Sequence, residues 1–171
     1  MKTIYLLIGQ KGSGKSHIGT LLDHNFNIRF LRVENWVKAI KQERKINDES
    51  YLKEVFQTIE KGVRNELRIQ NSITFESTGL TKYFDQMLES LNNDFNVITV
   101  KIKAAPELCL QRVKSRNQSI HINISDKEVK SINEAVFKKR LIADFNIDNN
   151  NKSDVELIIE LKKITTPQHL I

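Results

Sequence analysis

Residues able to handle phosphate stand near the N-terminus, in the stretch GQKGSGKS at 9–16. Gly9, Gly14, Lys15 and Ser16 fall in the spacing G-x-x-x-x-G-K-[ST]. Gly12 and Gly14 free the backbone to bend. The N–H groups from Gly12 through Ser13 to His17 then turn inward and form a concave anion site at a helix N-terminus. Lys15 supplies a point charge for the β- and γ-phosphates of a nucleotide, and Ser16 a hydroxyl for Mg2+. Farther along, RVKSR sets Arg112 and Arg116 four apart, on one face of a helix. A guanidinium stacks on rings and forks onto phosphate oxygens. A solvated helix face accounts for the same pair without chemistry.

A cradle of this kind needs a buried strand before it and a helix behind it. TIYLLIG (3–9) is a continuous apolar run, the pattern of a strand covered on both faces. After Lys15, residues Ile18, Leu21 and Leu22 share one helical face. Apolar runs at 28–33, 72–77, 95–104 and 141–148 predict four more strands. Helical spacing predicts helices over 34–45, 50–70, 81–91 and 106–116, the last with Pro106 in its first turn. Capping boxes at Ser125/Glu128 and Ser153/Glu156 open two further helices. NQSIHINIS (117–125) is a polar, unpatterned connector. Strands alternating with helices imply right-handed crossovers and an α/β fold: a parallel sheet with helices on both faces, a three-layer sandwich. No repeat or linker interrupts the pattern, so residues 1–171 read as one domain.

Composition narrows the class. With 39% hydrophobic and 28% charged residues, the chain reads as a soluble globular protein. No apolar run approaches the roughly 18–20 residues that span a bilayer. The run from Ile4 to Ile8 is too short for a signal-peptide core, so a cytoplasmic protein is expected. Cys109 is the single cysteine and lies among Leu108, Leu110 and Val113, which predicts a buried structural thiol in a reducing compartment. The net charge of +6 is scattered along the chain rather than gathered in a patch, which argues against nucleic acid as the main partner. A phosphate-handling cleft also favours surplus positive charge.

Three features together give a resemblance that covers essentially the whole chain: the cradle, the Arg112/Arg116 pair, and the turn Asp148-Asn149-Asn150 before a capped last helix. The chain resembles P-loop kinases of the nucleoside monophosphate, shikimate and gluconate kinase type. That resemblance implies a five-stranded parallel sheet of order 2-3-1-4-5 and a donor substrate, ATP, bound with Mg2+. It implies that Arg112 packs on the adenine, that Arg116 reaches the phosphoryl group in transfer, and that the turn at Asn149 abuts the adenine edge. It makes 117–125 a short lid, with His121 either touching substrate or an ordinary loop residue. It makes residues about 34–70 an acceptor-binding helical region.

The same resemblance brings the end of the third strand beside the cradle, where Glu76 stands. Glu76 would hold a Mg2+-bound water or accept the acceptor's proton. Glu34 stands where shikimate kinases place a carboxylate on the acceptor hydroxyl; a first-turn acid favoured by the helix dipole is the plainer explanation. Either carboxylate fits the base. Arg44, Arg64 and Arg68 lie in the acceptor region, with Arg64 either the first choice for an anionic acceptor or a surface residue, and Trp36 is a site wall or core. The double-glycine turn of shikimate kinases is replaced by FESTG, and the D-G-x-P-R of nucleoside monophosphate kinases is missing. The acceptor, small molecule or nucleotide, therefore stays open. Asn151, Lys152 and Asp154 spell the N-K-x-D of GTPases, but Asp148-Asn149-Asn150 separate it from the strand it should end. A nucleotide-binding regulatory ATPase or GTPase, and a polynucleotide-end kinase, are the competing readings.

Overall fold

The computed structural model describes residues 1–40, 48–116 and 124–166. In β1 (Thr3–Gly9), Ile4, Leu6 and Ile8 alternate with Tyr5 and Leu7, and all five are buried. The alternation sends the first three into one apolar layer and the other two into a second, so β1 is the centre of the fold. On its two sides β1 pairs in parallel with β3 (Ser72–Ser77) and β4 (Asn96–Lys103). Outside these lie β2 (Arg29–Phe30) and β5 (Phe145–Asp148), giving the order β2-β3-β1-β4-β5, every pair parallel. This is the order expected from the resemblance.

Helices cover both faces. One layer packs α2 (Val33–Ile40), α3 (Glu49–Ile69) and α4 (Lys82–Asp94) on Ile4, Leu6, Ile73 and Phe75. The other packs α1 (Lys15–Phe26) and α7 (Asp154–Thr165) on Tyr5, Leu7, Val100 and Ile102. Two helices follow β4: α5 (Pro106–Ser115), with Pro106 in its first turn, and α6 (Asp126–Lys139). Ser125 and Ser153 form the expected capping boxes with Glu128 and Glu156.

Two strands are shorter than their apolar runs. The run at 28–33 contributes only Arg29 and Phe30 to the sheet: Leu31 N–H still donates to Thr74 O at 2.8 Å, then Val33 N–H folds back on Leu31 O and α2 begins. The run at 141–148 contributes only its second half. Ile142 stands in solvent, and Asp144 instead accepts from the Thr99 N–H at 2.7 Å, tying the loop to the flank of β4. Residues 41–47, with Arg44, and 117–123, with His121 and most of the expected lid, lie outside the described residues. Among the described residues no helix is long and apolar enough to cross a membrane.

Candidate functional site

Every strand of a parallel sheet delivers its C-terminal end to the same edge, and the loop after β1 reaches it between β3 and β4. There the backbone turns through Gly12 at φ 81° and Gly14 at φ 98°, conformations that side chains rarely adopt. A Cβ on Gly12 would lie 2.1 Å from the Cys109 carbonyl oxygen, so α5 leaves room only for glycine. Lys15 opens α1. Its ammonium is buried and donates to the carbonyls of Gly9 at 3.0 Å and Gln10 at 2.7 Å. Burial pushes its pKa down, with Glu76 opposing that shift. A buried ammonium held by two neutral carbonyls stands ready for an anion that repays its lost hydration.

In front of the loop is a cleft of about 310 Å³. On one side the Ser16 hydroxyl donates to Glu76 Oε1 at 2.6 Å, joining the end of β3 to the start of α1. On the other Glu34 enters from the first turn of α2. Arg112 and Arg116 line it from the end of α5, with Arg116 one residue beyond the helix. Glycine-turned amides, a buried ammonium and a hydroxyl–carboxylate pair are the donors that a nucleotide polyphosphate and a hard cation such as Mg2+ require. The residues present therefore fit both. Among the described residues no group of three His, Cys, Asp or Glu gathers to hold a metal without such a ligand.

Gly12, Gly14, Lys15, Ser16, His17, Arg112, Arg116, Glu34 and Glu76 all line this one cleft. Others of the expected residues sit behind it. Gly9 lends its carbonyl to Lys15, and Ser13 is wholly buried beneath the loop. Asn149 is also buried: its side-chain amide donates to Ser13 O at 2.9 Å, and its N–H to Lys103 O at 2.8 Å. Its side chain braces the loop from the rear. Asn150 Oδ1 accepts from Ala105 N–H at 2.7 Å while its carbonyl accepts from Arg112 at 3.2 Å, so the turn after β5 and α5 are stitched together. Cys109 is fully buried, and desolvation pushes its thiol up, as suits an inert core residue.

Of the arginines in the acceptor region, Arg64 and Arg68 take the surface alternative, and Arg44 lies outside the described residues. Arg64 is held by Glu60 at 2.9 Å, Asp94 at 2.7 Å and the Ser90 hydroxyl at 2.9 Å, with its guanidinium 5.5 Å from the centre of the Phe95 ring. That network, and exposed Arg68, lie where α3 hands over to β3, at the edge opposite the cleft. Trp36 packs against the core, its ring filling the space above Gly62. The N-K-x-D letters are occupied within the fold: Lys152 pairs with Glu160, and Asp154 with His17 at 2.7 Å. Two residues were missed. Lys11 lines the cleft, and Asn133 of α6, although polar, is buried and bonds to the Lys11 backbone. A signal existed for Asn133: it interrupts the apolar stripe of Val129 and Val136 at helical spacing.

The fold is shared with small-molecule kinases. Shikimate kinase from Acinetobacter baumannii, solved with shikimate, superposes with a TM-score of 0.67 at 20% identity, covering 100% of this chain and 96% of that one. Shikimate kinase from Aquifex aeolicus gives 0.61 at 24% identity, with 95% and 94% covered. A gluconokinase from Sinorhizobium meliloti gives 0.62 at 17% identity, with 93% and 88% covered. These likenesses establish a P-loop kinase fold. No curated protein matches the chain. The AAA domain family matches residues 4–138, from the first strand through the helix that carries Asn133, and the chain belongs to that family.

Proposed function

We propose that this chain is an ATP-dependent phosphotransferase that moves the γ-phosphoryl group to a hydroxyl of a small-molecule or nucleotide acceptor. The observation that carries this is the placing of two carboxylates about one phosphate cradle. Glu76 is engaged by the Ser16 hydroxyl at 2.6 Å, and Glu34 lines the same cleft from the first turn of α2. Ser16 and Glu76 make the metal side, and Glu34, which lines the same cleft from α2, faces the acceptor. An ATPase would use the same carboxylate on water, and the acceptor panel below separates the two.

Bound Mg2+ would neutralise the β/γ oxygens and hold them in line. The loop amides and Lys15 bind the same oxygens from behind. Arg116, at the end of α5, supplies positive charge where negative charge builds up as the phosphoryl group leaves. Glu34 accepts the proton from the acceptor hydroxyl as the new P–O bond forms and the bond to ADP breaks. Positioning and electrostatics then account for most of the rate. On this reading 1–171 is one kinase domain, with the start of α2 beside the acceptor. A lone buried thiol and an ATP donor suit the cytoplasm.

The test is transfer of label from γ-labelled ATP to a panel of sugars, shikimate-like acids and nucleotides, with Lys15→Ala as control. The reading expects one acceptor class to take up label only with wild-type protein. Labelled inorganic phosphate alone across the whole panel, or binding confined to GTP, would overturn it.

A further inference from the structure

We propose that Lys11 is a second cation for the phosphoryl group in transfer, and that Asn133 of α6 is the positioning residue that aims it. This rests on the phosphotransferase reading above. Asn133 lies in the buried stripe of α6 and is only 7% exposed. A buried amide is costly unless both its ends are satisfied. Here both are satisfied by one residue: Lys11 N–H donates to Asn133 Oδ1 at 2.7 Å, and Asn133 Nδ2 donates to Lys11 O at 3.0 Å. A bidentate grip on the two peptide groups of one residue fixes its backbone and the direction of its side chain.

That side chain enters the cleft. Lys15 is engaged with two loop carbonyls, whereas among the described residues the Lys11 ammonium makes no hydrogen bond or ion pair. The charges that act on it are Glu34, Arg116 and Glu76, which stand for the acceptor, the transfer arginine and the metal side. All three line the cleft that Lys11 also lines, so its ammonium shares the space that a group passing from donor to acceptor must cross. Half-burial already disfavours the ammonium there, with the two carboxylates opposing that effect. An incoming phosphate dianion supplies the partner it lacks. Lys11 therefore senses the last phosphate, not the first two.

The experiment compares binding of MgADP and of the magnesium complex of a non-hydrolysable imido analogue of ATP, by calorimetry. Lys11→Met should keep ADP affinity and lower the analogue-to-ADP preference by about tenfold or more, the loss of one charge-assisted hydrogen bond. Lys11→Arg should retain most of that preference. Asn133→Ala should lower it likewise, and the double variant no further than Lys11→Met alone. If Asn133→Ala does not fold, Asn133→Asp keeps the acceptor for Lys11 N–H, loses the donor, and should behave the same way. A preference unaltered in Lys11→Met, or lost equally for both nucleotides, overturns the assignment while leaving the phosphotransferase reading intact. Additive losses overturn the role of Asn133. A wild-type protein that binds neither nucleotide removes the phosphotransferase reading first, and this one with it.

Discussion

Replacing Asn149 by alanine removes a donor that the buried Ser13 carbonyl depends on. Arg112 Nη1 also donates to this carbonyl, but at 3.5 Å, against 2.9 Å for Asn149, it is the weaker bond. Loss of the stronger bond to a buried carbonyl costs about 1–3 kcal/mol, whereas the Asn149 N–H to Lys103 O bond survives the change. The same amide blocks the loop: a Cβ on Gly14 would lie 2.1 Å from Asn149 Nδ2. Gly14→Ala therefore imposes two costs, about 1–3 kcal/mol of left-handed strain and displacement of that amide. In an Asn149→Ala background only the strain remains. The double variant should be more stable than the sum of the singles by about 1–3 kcal/mol. In a chain of this size, with about 2–4 °C of Tm for each kcal/mol, thermal unfolding of nucleotide-free protein resolves the difference. Additivity within about 0.5 kcal/mol would refute the claim that the amide and the loop glycine occupy one space.

Burial holds Lys11 and Lys15 below the ordinary 10.5, so between their lowered values and 10.5 the unfolded chain binds more protons and stability rises with pH. Lys15→Met should therefore flatten the rise in Tm on the alkaline side while abolishing nucleotide affinity; superimposable wild-type and variant profiles would contradict this. Glu76→Gln should weaken nucleotide binding about 10–100-fold with magnesium present and much less without it, read by calorimetry with and without chelator. Arg64→Ala should cost about 1 kcal/mol in urea unfolding, through loss of its Glu60, Asp94 and Ser90 contacts, and leave MgATP affinity unaltered. A raised KM for an anionic acceptor at unaltered MgATP affinity would reinstate Arg64 as an acceptor residue.

Much of this was legible because the signals are local. The cradle is a contiguous stretch, and β1 shows its two-sided burial in an unbroken apolar run. Strand ends were less legible, because an apolar run does not record where a sheet edge stops: Phe30 and Leu31 are both buried, yet only the first pairs in the ladder. Arg64 was misplaced for a reason the topology supplies. α3 leads back to the start of β3, so its C-terminal end lies opposite the cleft, and Arg64 is in the last two turns of this 21-residue helix, about 30 Å long. Asn149 was found but its work was not, since a turn motif does not say whether an amide faces outward or grips the carbonyl behind it. Asn133 and Lys11 are 122 positions apart, and no local pattern joins them.

Titration of the purified protein with ATP by calorimetry, with and without magnesium, reaches the centre of the account, because the glycine turns, buried Lys15 and the Ser16–Glu76 pair are explained by that complex. Saturable binding that strengthens with magnesium, exceeds that of GTP, and vanishes in Lys15→Ala is the predicted result. Absence of heat with ATP under either condition, or full affinity in Lys15→Ala, would contradict it.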